Sequence, residues 1–105
     1  MQRELFDNIL SNILDGYPNV SDINITVGKT FQAENHGELN PVELNPPIIQ
    51  LTPFQTELFA FYIISGNQKL METLLQTGSC DCSYQLGTKA RFRVNIFSQR
   101  GLYSI

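Results

Sequence analysis

Arg91, Arg93 and Arg100 fall within ten residues of one another, in a stretch from 83 to 105 that contains no acid. The planar guanidinium fork meets phosphate or carboxylate oxygens two at a time, so this stretch is where an anion would be held. From Ala90 to Phe97 the sequence alternates polar and apolar residues, the period of a strand. That period places Arg91, Arg93 and Asn95 on one face and Phe92, Val94 and Ile96 on the other, which is the core face. Two forks on a rigid strand, roughly 7 Å apart, form a fixed array of donors. The competing reading is a solvated basic strand, or one whose arginines pair with the chain's own acids, such as Asp81.

Gly28-Lys29-Thr30 has the ending of a phosphate-binding loop. The full pattern needs a glycine five residues earlier, where Ile23 stands, and a helix directly after the threonine. Neither condition is met, so the triplet reads as a turn between strands. His36 is the only histidine, which excludes a multi-histidine metal site and a histidine triad by count. Cys80 and Cys82 lack the two-residue spacing that grips a tetrahedral ion, and a bridge between such close positions would be strained. They read as reduced, half-buried strand residues. No serine or threonine stands in a recognisable nucleophile elbow. The sequence therefore points to no catalytic residue and no metal ligand.

The elements that would position the arginines follow from periodicity. Leu5, Phe6, Ile9, Leu10, Ile13 and Leu14 recur at helical spacing and predict a helix over 2–15, stopped by Gly16 and Pro18. Ile23, Ile25 and Val27 alternate with Asp22, Asn24 and Thr26, which predicts a strand over 21–27. A second strand is expected over 31–39, with Asn35-His36-Gly37 as a turn or bulge. The proline-rich 40–47 is expected to be a loop, with a short extended piece over 48–51. Thr52-Pro53-Phe54-Gln55 is a strong helix start and opens a helix from Pro53 to about Ser65. Asn67 caps a third helix that Gly78 ends. A hairpin over 79–86 and 90–97 follows, and 102–105 begins one more strand.

Residues 1–82 hold all ten acids and three bases, while 83–105 hold Lys89 and the three arginines, so a plus-four segment is joined to a minus-seven body. The acidic body would repel a polyanion, which argues against nucleic-acid binding. No apolar run approaches the eighteen or so residues that cross a bilayer, and charge interrupts the first seven residues where a signal peptide would be apolar. A cytoplasmic protein is expected, peripheral at the inner membrane at most and with no direct membrane insertion. One hundred and five residues are enough for a single domain spanning 1–105 and too few for two.

Several blocks of the chain resemble the N-terminal domain of the PilT-like family of type IV pilus retraction and secretion ATPases. Ser21-Asp22-Ile23-Asn24-Ile25-Thr26-Val27-Gly28 resembles that domain's opening Ser-Asp-Ile-His-Leu-x-x-Gly. Gly37-Glu38-Leu39, Leu51-Thr52-Pro53 and Asp81-Cys82-Ser83-Tyr84 resemble its Gly-x-Leu, Leu-Thr-Pro and Asp-x-Ser-Tyr. Ala90 to Gly101 is similar to its Arg-Phe-Arg-Val-Asn-x-Phe-x-Gln-Arg-Gly signature. The blocks follow the family order over residues 21 to 101. Two positions depart from the pattern: Asn24 stands where the family has His, and Glu34 where it has Arg.

The resemblance implies an α+β, PAS-like domain with an antiparallel sheet packed against three helices. It would precede a RecA-like ATPase domain in a cytoplasmic homo-hexamer, at the base of a pilus used for twitching motility or of a secretion machine. Its partners would be that ATPase domain, neighbouring subunits and the pilus or secretion base proteins. ATP and Mg would be cofactors of the parent and not of this chain, which would be non-catalytic by itself. By the same likeness Arg91, Arg93 and Arg100 would reach nucleotide phosphates at a domain or subunit boundary. The alternative function is a stand-alone PAS-type sensor or adaptor, with the apolar helix from Phe54 to Ile64 enclosing a small ligand.

Overall fold

The computed structural model describes residues 3–44, 48, 50–99 and 101–105. In chain order the elements are α1 (Arg3–Gly16), β1 (Val20–Asn24), β2 (Gln32–Asn35), β3 (Glu38–Pro41), α2 (Pro53–Ile64), α3 (Gln68–Thr77), β4 (Ser79–Leu86), β5 (Ala90–Gln99) and β6 (Leu102–Ser104). The fold is α+β, with three helices and antiparallel strands.

Each helix forms where its spacing and caps place it. In α1 the stripe of Phe6, Ile9, Leu10 and Ile13 is buried. At the start of α2 the Gln55 N–H donates to Thr52 Oγ1 at 3.2 Å and the Thr52 N–H donates to Gln55 Oε1 at 2.9 Å, a closed capping box. Asn67 Oδ1 accepts the Leu70 N–H at 3.2 Å and starts α3, which Gly78 ends at φ 81°.

The strand expected over 31–39 is instead two strands. His36 and Gly37 both have positive φ, 54° and 81°, so the chain reverses tightly between β2 and β3. The first strand is shorter than expected. Its ladder to β2 stops at Asn24, and Ile25 and Thr26 turn to a different neighbour.

The strands form two three-stranded antiparallel sheets, in the orders β1-β2-β3 and β4-β5-β6. Ile25 and Ile105 join them by exchanging both backbone hydrogen bonds, at 2.8 and 2.9 Å. Next to that exchange Ser104 pairs with Thr26 on one side and with Phe97 on the other. At this point β6 lies between the two sheets as their shared strand.

The core lies between the helices and the inner faces of the strands. Phe59 of α2 stacks on Phe6 with ring centres 4.7 Å apart and meets Phe31 at 5.6 Å. Phe6 also meets Tyr84 of β4 at 5.8 Å. These rings fill the space beneath α2. Phe54 and Phe61, which the sensor reading would turn around a ligand, are exposed instead. Among the described residues no helix is long and apolar enough to cross a membrane.

Candidate functional site

From Ala90 to Phe97, β5 is fixed by the register of β4, with Gln85 opposite Arg91, Ser83 opposite Arg93 and Asp81 opposite Asn95. The alternation expected from sequence is present. Val94 and Ile96 are buried, whereas Arg91, Arg93 and Asn95 are exposed. Arg100 lies outside the described residues.

On its other side β5 is paired, among the described residues, only at its far end, where Phe97, Ser98 and Gln99 meet β6. Residues 91–96 therefore present an open strand edge. The edge of β1 turned away from β2 is open in the same way up to Ile25, where the bonds to Ile105 begin. Between these edges runs a cleft of about 550 Å³. Ser21, Asp22, Ile23 and Asn24 line one lip and Arg91 to Asn95 line the other. Phe6, Leu10, Ile63 and Tyr84 contribute an apolar floor, and Ile105 closes the end.

The fold thus sets two blocks about seventy residues apart in sequence against each other, Ser21–Asn24 and Arg91–Asn95. The face taken by Arg91 and Arg93 follows from the alternation of their strand. That Ser21, Asp22 and Asn24 share their cleft had no local signal, because a strand's lateral neighbour is not encoded in its period.

The arginines are not used up by the chain's own acids. Asp81 accepts a hydrogen bond at 2.9 Å from Asn95 Nδ2, its cross-strand partner, and not from an arginine. Arg91 donates to Ser83 Oγ at 3.3 Å. The Arg93 side chain makes no hydrogen bond or ion pair among the described residues. The remaining base of this segment has a different role. Lys89 Nζ donates to Asp15 Oδ1 at 2.6 Å and to Ser11 Oγ at 2.8 Å, tying the β4–β5 turn to α1. Two adjacent guanidiniums at the lip of a cleft, without a carboxylate of their own, can take an anion's oxygens.

The β1 lip carries the opposite charge. Asp22 faces Glu34 of β2 in register, and Ser21 Oγ donates to the Glu34 backbone oxygen at 3.3 Å. The hydrogen bond and the charge of Asp22 hold the Glu34 carboxyl above its ordinary pKa. Below the floor, the Tyr84 hydroxyl donates to Asp7 and accepts from Arg3 Nε at 3.2 Å. Burial, and then the bond to Asp7, raise the Tyr84 pKa.

Gly28-Lys29-Thr30 is a loop and not a phosphate cradle. The Gly28 N–H donates to Leu51 O, Lys29 O accepts from the Leu51 N–H, and strand β2 follows where a phosphate loop would have a helix. Cys80 and Cys82 are free thiols on the core face of β4. Among the described residues no group of three potential ligands could hold a metal ion.

The class this fold and cleft define is an α+β domain with two open strand edges facing across an arginine-lined groove. Two solved structures are similar to this chain in fold. The pilus retraction motor PilT, solved with bound ADP, is 28% identical, with a TM-score of 0.76, over 93% of this chain and 26% of that one. The Legionella pneumophila ATPase DotB is 22% identical, with a TM-score of 0.68, over 93% of this chain and 27% of that one, and shows the fold alone. No protein-family model and no curated protein matches the chain. The resemblance to the PilT-like family is borne out at the level of structure: the chain's α+β fold is similar to the N-terminal region of PilT. It spans about a quarter of the length of these two solved chains.

Proposed function

We propose that this chain is the N-terminal assembly and nucleotide-sensing domain of a hexameric pilus-retraction or secretion ATPase. In this reading it is non-catalytic and supplies Arg91 and Arg93 to nucleotide phosphate at a domain or subunit boundary. The observation that carries it is the pair of exposed arginines at the cleft lip, neither of them neutralised by an acid of this chain. Unpaired guanidiniums on a rigid strand are pre-positioned for developing phosphate charge, so they stabilise it without reorganising. The likeness to PilT, whose solved form holds ADP, supports a nucleotide as the anion. Arg100 is part of the same proposal through its place in the resembling block.

The test uses a ring ATPase that carries this domain. Arg91→Ala or Arg93→Ala is expected to lower turnover by about a hundredfold or more, the scale on which supplied arginines act in phosphoryl transfer. Arg→Lys is expected to rescue poorly, since a point charge lacks the planar fork. Lys69→Ala, at an exposed position on α3, is the control for general electrostatics. Equal losses in Arg91→Ala and Lys69→Ala would overturn the proposal. So would micromolar or tighter ATP binding by these 105 residues alone, because the site is shared in this reading.

A further inference from the structure

Helix α2 carries two apolar faces. Thr56, Phe59, Ala60, Ile63 and Ile64 are buried against the core. Phe54, Leu58 and Phe61 recur at i, i+4 and i+7, so they lie in one line on the opposite side of the helix. Phe54 is 66% exposed and Phe61 39%, with Leu58 half-buried between them. A surface helix ordinarily turns charge to that side. Here the only charged residue of the helix is Glu57, at the flank of the line. Two large rings turned to water on a rigid helix mark a contact surface.

We propose that this face binds the same face of a second copy of the chain, with the two α2 helices antiparallel about a two-fold axis at Leu58. An isologous contact needs a patch that matches itself when reversed. The order Phe, Leu, Phe reads alike in both directions, so Phe54 meets Phe61 of the second copy at each end and Leu58 meets its own equivalent at the centre. Reversal also sets the positive end of each helix dipole beside the negative end of the other. A helix with no basic residue and one acid gives a partner of opposite charge little to select. The area sets the strength. At about 150–250 Å² for a phenylalanine side chain, exposures of 66% and 39% amount to roughly 200 Å² of ring surface per copy. Four rings can form the core of an interface at the small end of the range, below about 1,200 Å² in total. Such a contact is reversible, with a dissociation constant expected at about 10–100 μM. Glu57 weakens it, because the two-fold axis puts both copies of this carboxylate on the same side of the helix pair, close to the centre. The inference rests on α2 alone and is independent of the nucleotide reading.

Sedimentation equilibrium of this chain, from about 5 μM to about 1 mM, is the test. The average mass is expected to rise from one copy towards two, with its midpoint at about 10–100 μM. Glu57→Gln should tighten the association about threefold or more by removing the like charges. Phe54→Glu and Phe61→Lys should each weaken it about tenfold or more. Both charges sit at the helix end that favours them, so the variants stay folded, which a thermal melt checks. Mixed together, the two should associate about tenfold more tightly than either alone, because the antiparallel register sets one changed residue against the other. Leu39→Glu, at an exposed apolar position on β3, should change nothing. A single-copy mass at the highest concentration overturns the proposal and leaves the face to a different partner. Equal weakening by Leu39→Glu and the phenylalanine variants overturns it as well, and so does a mixture no tighter than its components. If a phenylalanine variant unfolds, Glu57→Gln decides: association no tighter than that of the unmodified chain overturns the two-fold arrangement.

Discussion

Ile25 and Ile105 exchange both backbone hydrogen bonds, at 2.8 and 2.9 Å, and this exchange is the seam that joins the two sheets. Ile25 is also 3% exposed, so its side chain belongs to the core beside the seam. Ile25→Ala is expected to cost about 2–5 kcal/mol, the range for truncating a buried aliphatic residue. Ile23→Ala, at a half-buried position on the cleft lip, should cost less. Urea unfolding followed by circular dichroism checks both. If Ile23→Ala is the costlier change, the seam has been misplaced.

Asp22 and Glu34 face each other across β1 and β2, and the Glu34 carboxyl is raised above its ordinary pKa chiefly by Asp22. A carboxyl whose folded pKa is raised favours folding below its unfolded value, near 4.5, and loses that contribution as pH rises through the folded value. Glu34→Gln should therefore raise the urea midpoint at pH 7 and change it little at pH 3. Glu34→Arg, which restores the residue type of the resembling family, should do so as well by facing Asp22 with a cation. A lower midpoint at pH 7 in both variants would show that the carboxyl pair is not a source of repulsion.

Lys89 and Arg91 carry the same charge and stand two residues apart, yet only Lys89 is tied to the body of the domain, through Asp15 and Ser11. Lys89→Ala is expected to cost up to about 1 kcal/mol, with the loss shrinking at high salt, as for an exposed ion pair. Arg91→Ala and Arg93→Ala should stay within about 0.5 kcal/mol of the unmodified domain, because neither is buried or paired with an acid. Thermal melts at low and high salt separate the two classes. Unfolding of the arginine variants would mean that the basic face of β5 is structural.

Burial, then the charges of Cys80 and Asp81, push the Cys82 thiol up to about 11 from an ordinary value of 9.0. Cys80 is raised too, again chiefly by burial. The folded protein should react slowly with thiol reagents at pH 8, where both groups are protonated. A raised folded pKa also means that stability present below pH 9 is lost as pH climbs through 11. Cys82→Ser should flatten that alkaline decline in urea midpoints between pH 8.5 and 11. A decline as steep in Cys82→Ser as in the parent would assign it to other groups, with Tyr84, also raised, first among them.

The sequence by itself determined the local elements and the face each side chain takes. The Thr52 and Asn67 caps started α2 and α3 where they were expected, Gly78 ended α3, and the alternation from Ala90 to Phe97 put Arg91 and Arg93 on the face away from the core. These features depend on periods and caps that act within a few residues. Asn35-His36-Gly37 signals a turn or bulge within a single strand, and the positive φ of His36 and Gly37 makes it the reversal between two. Only the tertiary structure decided that Ile25 leaves β1 for Ile105, that Asp81 takes Asn95 in place of an arginine, that Lys89 goes to α1, and that Ser21–Asn24 faces Arg91–Asn95. Each of those outcomes depends on which strand or helix lies alongside, and lateral neighbours are chosen by burying the shared core of Phe6, Phe31 and Phe59, drawn from three distant parts of the chain.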